Sequence, residues 1–238
     1  MAIKPILFNT EMVRAILDGR KTCTRQICKD ANEYTVPDMD FYNADRRTYA
    51  VHNFADKEQM EQLSIAERTC PICPGDTLYV RETVWQKIGY YLDIDGETKP
   101  SWYNEFKYVA SDEKPETGWN YSWAKRPSIH MPKEAARIWL KVTDVRVERL
   151  QDITEDQTEE EGFLFTPPCL HLTGENYCDI DGPCTSEIKY CDMGAGELFG
   201  TVLWNSTIKK SDLDRYGWYA NPYVFVIEFE RCEKPEGV

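Results

Sequence analysis

The chain has 238 residues, with 28 Lys and Arg against 41 Asp and Glu, a formal charge of −13, and 42% hydrophobic and 13% aromatic residues. This balance excludes collagen, a coiled coil and a disordered tail, and its acidity argues against a protein that coats nucleic acid without specificity. No apolar run reaches the roughly 18 residues of a membrane span, and the first residues lack a basic segment followed by an apolar one, so the expected location is the cytoplasm.

After the apolar run Ile6-Leu7-Phe8, Thr10 reads as a helix N-cap, and Glu11 complements the helix dipole in the first turn. Met12, Val13, Ile16 and Leu17 recur at helical spacing and Gly19 stops the pattern, which predicts a helix over 11–18. Lys21-Thr22-Cys23-Thr24-Arg25 then lies on the exposed turn or strand leaving that helix. Residues 29–69 hold no sustained period and read as an irregular excursion with a short helix near 56–67. Pro74-Gly75-Asp76 is a turn, and Thr77 to Trp85 alternates as a strand with Leu78, Val80, Glu82 and Val84 on one face. A carboxylate on an apolar face is costly unless it is paired or used, which singles out Glu82.

Residues 86–124, rich in Tyr, Trp, Gly and Asp, read as a long hairpin or loop decoration. Met131-Pro132 opens a short helical turn reaching about Arg137, and Ile138 to Val147 alternates as a strand. Thr154 and Gln157 form a capping box, and the acidic helix that follows, ended by Gly162, reads as a solvated face. Residues 163–200 are loop-rich, with a helical turn from Leu198 to Ser206. In Tyr223 to Glu230, Tyr223, Phe225, Ile227 and Phe229 line one face and Glu228 and Glu230 the other, a half-buried final strand. Separated strands with short helices between them, without βαβ alternation, predict an α+β fold built on a small barrel.

Positive charge gathers in two places: residues 1–30 carry six cations against three carboxylates, and residues 125–149 carry seven against three. If the fold brings these islands to one mouth, Arg20, Lys21, Arg25, Lys125 and Arg126 would meet phosphate, while Trp85, Trp123 or His130 stack on or hydrogen-bond a splayed base. Arg81 and Ser128 complete this candidate ligand-binding set. Equally ordinary roles stand beside these: Trp85 as core, His130 as a capping residue, and the islands as solvated faces.

The nine cysteines need an intracellular explanation. Cys169, Cys178, Cys184 and Cys191 fall within 23 residues of a Gly/Pro-rich stretch, and four thiolates suit a tetrahedral structural zinc that orders a loop without its own core. His171 could replace one ligand. Cys70-Pro71-Ile72-Cys73 supplies half a site and could combine with two of those thiols, or all of them are buried thiols without a metal. Cys23, Cys28 and Cys232 read as core or neutral surface.

Several strings carry a resemblance: Lys4-Pro5-Ile6-Leu7-Phe8, Gly19-Arg20-Lys21-Thr22, Pro74-Gly75-Asp76, Val80-Arg81-Glu82-Thr83, Pro127-Ser128-Ile129-His130-Met131-Pro132, Arg146-Val147-Glu148-Arg149-Leu150 and Asn221-Pro222-Tyr223. In this collinear order, from residue 4 to about 231, the chain resembles ASCH domain proteins of the longer phage and prophage type. The resemblance implies one PUA-like β-barrel domain over 1–238 with short flanking helices, insertions at about 29–69, 86–124 and 163–200, and a cytoplasmic protein that binds RNA or a modified nucleoside at the barrel mouth. Some short members of that superfamily are amidohydrolases acting on 4-acetylcytidine, and the positions similar to theirs are Lys21, Thr24 and Glu82. A threonine hydroxyl becomes a nucleophile only when a base takes its proton, and a lysine or a buried carboxylate can serve. Three readings therefore stand: a binding module, a hydrolase with Thr24 as nucleophile, Lys21 as base and Glu82 orienting or protonating, and a phage protein that acts by contact with a host protein. A purely structural ion pair of Glu82 with Lys21 or Arg20 is the bland alternative.

Overall fold

Strands dominate the architecture, which is α+β. The computed structural model describes residues 2–29, 31, 35–54, 62–164 and 193–237. Its strands are β1 (Ile3–Leu7), β2 (Cys23–Ile27), β3 (Thr35–Asn43), β4 (Thr48–Phe54), β5 (Gln62–Thr69), β6 (Thr77–Arg81), β7 (Val84–Leu92), β8 (Thr98–Tyr108), β9 (Tyr121–Arg126), β10 (Trp139–Arg149) and β11 (Tyr223–Cys232). Two helices matter below, α1 (Thr10–Leu17) and α2 (Glu155–Glu160); short helical turns occupy much of 195–220. The chain divides into two compact units, Met1–Arg20 with Pro74–Thr143 and Phe229–Val238, and Lys21–Cys73 with Asp144–Glu228. Among the described residues no sheet closes into a barrel, and no helix is long and apolar enough to cross a membrane.

In the first unit β1 runs parallel to β6, with Ile3 opposite Thr77 and Leu7 opposite Arg81, and β6 pairs antiparallel with the start of β10. Helix α1 buries Val13, Ala15 and Ile16, and its N-cap is Asn9, one residue before the expected Thr10. The Asn9 side-chain oxygen accepts the Met12 N–H at 2.9 Å, which satisfies a donor that the helix itself leaves open. Gly19 has φ +78, the left-handed stop expected after the helix. The run from Thr77 to Trp85 is broken at Glu82-Thr83 into β6 and β7, so it is two strands and not one.

Residues 84–126 form the three-stranded antiparallel sheet β8-β7-β9, more regular than a loop decoration. One face of it carries Val84, which packs with Met131, Ala135, Ala136 and Trp139, and with Phe106 and Tyr108 alongside. Burying Val84 and Met131 contributes about 1.5–3 kcal/mol each, which fixes which face is inward and hence the register.

In the second unit β2 pairs antiparallel with β11, and β3-β4-β5 form a three-stranded sheet where the sequence suggested an irregular excursion. The strand β5 occupies most of the stretch expected to be helical; residues 55–61 lie outside the described part. The final strand is covered on both faces over its first half: Val224 and Val226 pack with Leu150, Ile153, Phe199, Trp204 and Trp218, while Phe225 meets Tyr49 edge-on at 5.5 Å. Glu228 and Glu230 make the second face read as polar, but Val224 and Val226 at its start are apolar, and that is the half that is covered. Cys169, Cys178, Cys184, Cys191 and His171 lie outside the described residues, so the zinc expectation falls there too.

Candidate functional site

Three groups of sequence-predicted residues occupy three different settings. The first is a buried ionic cluster in the second unit. Lys21 donates to Glu161 Oε2 at 2.6 Å, to the Glu161 carbonyl at 2.9 Å and to the Cys23 carbonyl at 2.7 Å. Arg25 donates to Glu161 Oε1 at 3.3 Å and to Gln157 at 2.8 Å, and lies 3.6 Å from Glu148. The side chains of Lys21 and Arg25 are fully buried.

Local structure explains the meeting. Strand alternation turns Cys23 and Arg25 to one side of β2 and Thr24 to the other. Helix α2 begins at the predicted capping box, and Gln157 serves twice, accepting the Thr154 N–H at 3.1 Å and holding Arg25. Glu161 closes that helix, and Gly162 at φ +80 turns the chain away. This corrects the expectation that the acidic helix is only a solvated face, because its last carboxylate is buried between two cations. Burial, with a further push from Glu161, raises the Cys23 thiol to about 12 against the pull of Lys21 and Arg25, so Cys23 is a protonated thiol at neutral pH.

The second setting is Glu82, buried in the first unit and clamped by Arg137, whose Nε and Nη2 donate to its two carboxylate oxygens at 2.9 and 3.1 Å. Arg137 also donates to Ser111 Oγ at 2.7 Å and lies 4.0 Å above the Tyr108 ring. The carboxylate singled out in the sequence is thus paired, as its position demanded, with a partner from the other side of a helical turn that no local pattern marked. Lys21 and Thr24 belong to the second unit and Glu82 to the first. Arg81 donates to the carbonyls of Ile129 and Met131, which fixes the segment carrying Ser128 and the exposed His130. Arg20 pairs with Asp18 at 3.1 Å.

The third setting is the outward face of the β8-β7-β9 sheet. Trp85 stands directly opposite Lys107 on one side and Lys125 on the other, and Lys87 stands opposite Trp123. Residues opposite one another share a face, so Trp85, Lys87, Lys107, Trp123 and Lys125 line one surface. Two extra residues in β8 at the irregularity opposite Lys87 bring Tyr103 and Glu105 to it as well: the Lys87 ammonium lies 5.6 Å from the Tyr103 ring centre, 4.8 Å from that of Tyr121, and 2.7 Å from Glu105. Lys107 and Lys125 are exposed and form no ion pair among the described residues. Arg126 sits on the opposite face, over Trp102 at 4.9 Å and bonded to Gln86.

The structure thus joins Trp85 to Lys125 and joins Lys21 to Arg25, while Arg126 parts from Trp85. Lys87, Lys107, Tyr103, Tyr121, Arg137 and Glu161 escaped the sequence argument. Of these, only the first four had a signal, the alternation of rings and charged residues along 85–91, 103–107 and 121–125. Cys70 and Cys73 are buried thiols that donate to the carbonyls of Ile72 and Cys70 at 2.8 and 3.3 Å, and no group of three metal-ligating side chains occurs among the described residues. Compared with protein-family models, curated proteins and solved structures, the chain matches none.

Proposed function

We propose that the chain binds RNA through the outward face of the β8-β7-β9 sheet. The observation that carries this reading is Trp85 set in register between two exposed lysines, Lys107 and Lys125, that have no carboxylate partner among the described residues. An indole offers a flat surface to a base of any sequence, and ammonium groups on either side meet the phosphates that flank it. The rest of a chain with charge −13 repels nucleic acid, so contact is confined to such a face and affinity is modest. The collinear motifs support an ASCH-type, PUA-like module acting in the cytoplasm, and the proposed face combines Lys107 and Trp123 of the expected insertion at about 86–124 with Trp85 and Lys125 at its borders.

Hydrolysis of a 4-acetylcytidine-like nucleoside has less behind it: the Lys21 ammonium is occupied by three oxygens and the Glu82 carboxylate by Arg137. The test is fluorescence anisotropy with labelled RNA across a salt series. Lys107→Ala and Lys125→Ala each weaken binding and lower the slope of log affinity against log salt by about 0.7, one phosphate contact apiece. Unchanged affinity and slope in the double variant would remove the proposal.

A further inference from the structure

We infer that the ligand of this face is a single strand whose bases are unstacked, two of them lying on Trp85 and Trp123; the inference rests on the binding face proposed above. Trp85 is opposite Lys125, and Trp123 is opposite Lys87, so the two indoles are diagonal neighbours on adjacent strands. Diagonal positions are roughly 7–8 Å apart, about twice the 3.4 Å rise between stacked bases. Two bases can meet both indoles only after leaving their stack, and in a duplex their faces are covered by neighbours in any case.

The lysines agree with this spacing. Lys107 and Lys125 lie on strands either side of β7, about 10 Å apart, and a backbone crossing the sheet passes both with Trp85 between them. Beyond Trp123 the surface is closed by rings rather than charge. A Cβ on Gly89 would come within 2.6 Å of the Tyr103 ring, which therefore rests directly on the Gly89 backbone. The Lys87 charge between Tyr103 and Tyr121 is matched by Glu105. The surface thus has two ring sites, two unmatched cations and a neutral aromatic end, while on the opposite face the end around Val84 packs against Met131 and Trp139. A duplex, which needs many phosphate contacts to bind, finds only two cations here.

The test compares a short RNA strand, a DNA strand of the same sequence and an RNA duplex at one salt concentration, with indole quenching recorded beside anisotropy. Both single strands are expected to bind more tightly than the duplex and to quench tryptophan emission, with RNA the tighter; a tighter DNA strand would overturn the RNA reading above and leave the stacking inference standing. Trp85→Ala and Trp123→Ala are each expected to weaken single-strand binding about 5- to 150-fold, the range for loss of one stacked base, with duplex binding unchanged. Trp85→Phe and Trp123→Phe keep a stacking ring and are expected to recover most of the affinity, which separates stacking from loss of fold. Equal binding of duplex and single strand, or tryptophan variants that bind as the parent while Lys107→Ala and Lys125→Ala weaken binding, would overturn the stacking inference and leave the electrostatic one standing. Failure of every strand to bind would remove both.

Discussion

Replacing Glu161 by Gln keeps the shape of the side chain and takes away the one carboxylate shared by two buried cations. Breaking a buried pair in this way costs about 3–5 kcal/mol, because the remaining charge is left without compensation. The surroundings set where in that range the change falls. Lys21 keeps the carbonyls of Cys23 and Glu161, and Arg25 keeps Gln157 and the more distant Glu148, so the lower end, about 3 kcal/mol, is expected. For a chain of this size that shifts the thermal midpoint down by about 6–12 °C. Lys21→Met removes a cation and leaves Arg25 and Glu161 matched one to one, with the methionine filling the volume of the lysine stem. Its cost is about 2–3 kcal/mol, since each of the two carbonyls left without the ammonium donor costs about 1 kcal/mol or more. Urea titrations of the parent, both single variants and the double variant measure the set, and the double variant is expected to lose at least about 1 kcal/mol less than the sum. A Glu161→Gln variant within about 0.5 kcal/mol of the parent would refute the argument that this cluster is buried and charged.

Arg137→Ala leaves the buried Glu82 carboxylate without its two donors and is expected to destabilise by about 3 kcal/mol, with Arg137→Lys intermediate because it retains charge but not the paired geometry or the stack on Tyr108. The Cys23 thiol has its proton held in the folded state from its ordinary value of 9.0 up to about 12. Below pH 9 both folded and unfolded states carry that proton. Above it only the unfolded thiol ionises, so stability is lost as pH rises from 9 toward 12, and Cys23→Ala is expected to flatten that loss in denaturation midpoints measured across the range. Asn9→Ala is expected to cost about 1 kcal/mol and Thr10→Ala much less, by thermal unfolding, because Asn9 holds the cap. Gly89→Ala is expected to destabilise the parent by displacing Tyr103, yet to be neutral or stabilising, by up to about 1 kcal/mol, in a Tyr103→Ala background where only the backbone cost of glycine remains.

Much of the local structure was legible in the residue order. The α1 helix, the Thr154–Gln157 capping box, the strand through Leu140 and Val142 and the mixed α+β class follow from periodicity and caps, which act within a few residues. The errors have equally local causes. Asn9 and Thr10 are both competent caps, and only the helix phase chooses between them. Residues 35–69 contain strands whose alternation is blurred by polar side chains on both faces, so their pairing is set by neighbouring strands and not by their own pattern.

The candidate site divides in the same way. The sequence determined that Glu82 had to find a partner, and it marked Trp85 and Lys125 only as candidates for a ligand-binding face. Tertiary structure alone decided that the partner is Arg137, 55 residues away, and that Lys21 meets Glu161, 140 residues away. It alone put Trp85 in one row with Lys107 and Lys125 and sent Arg126 to the other face. The reason is physical: a residue's own type fixes what it costs to bury or expose it, but ion pairs and sheet registers are contacts between segments that the chain brings together only when it folds.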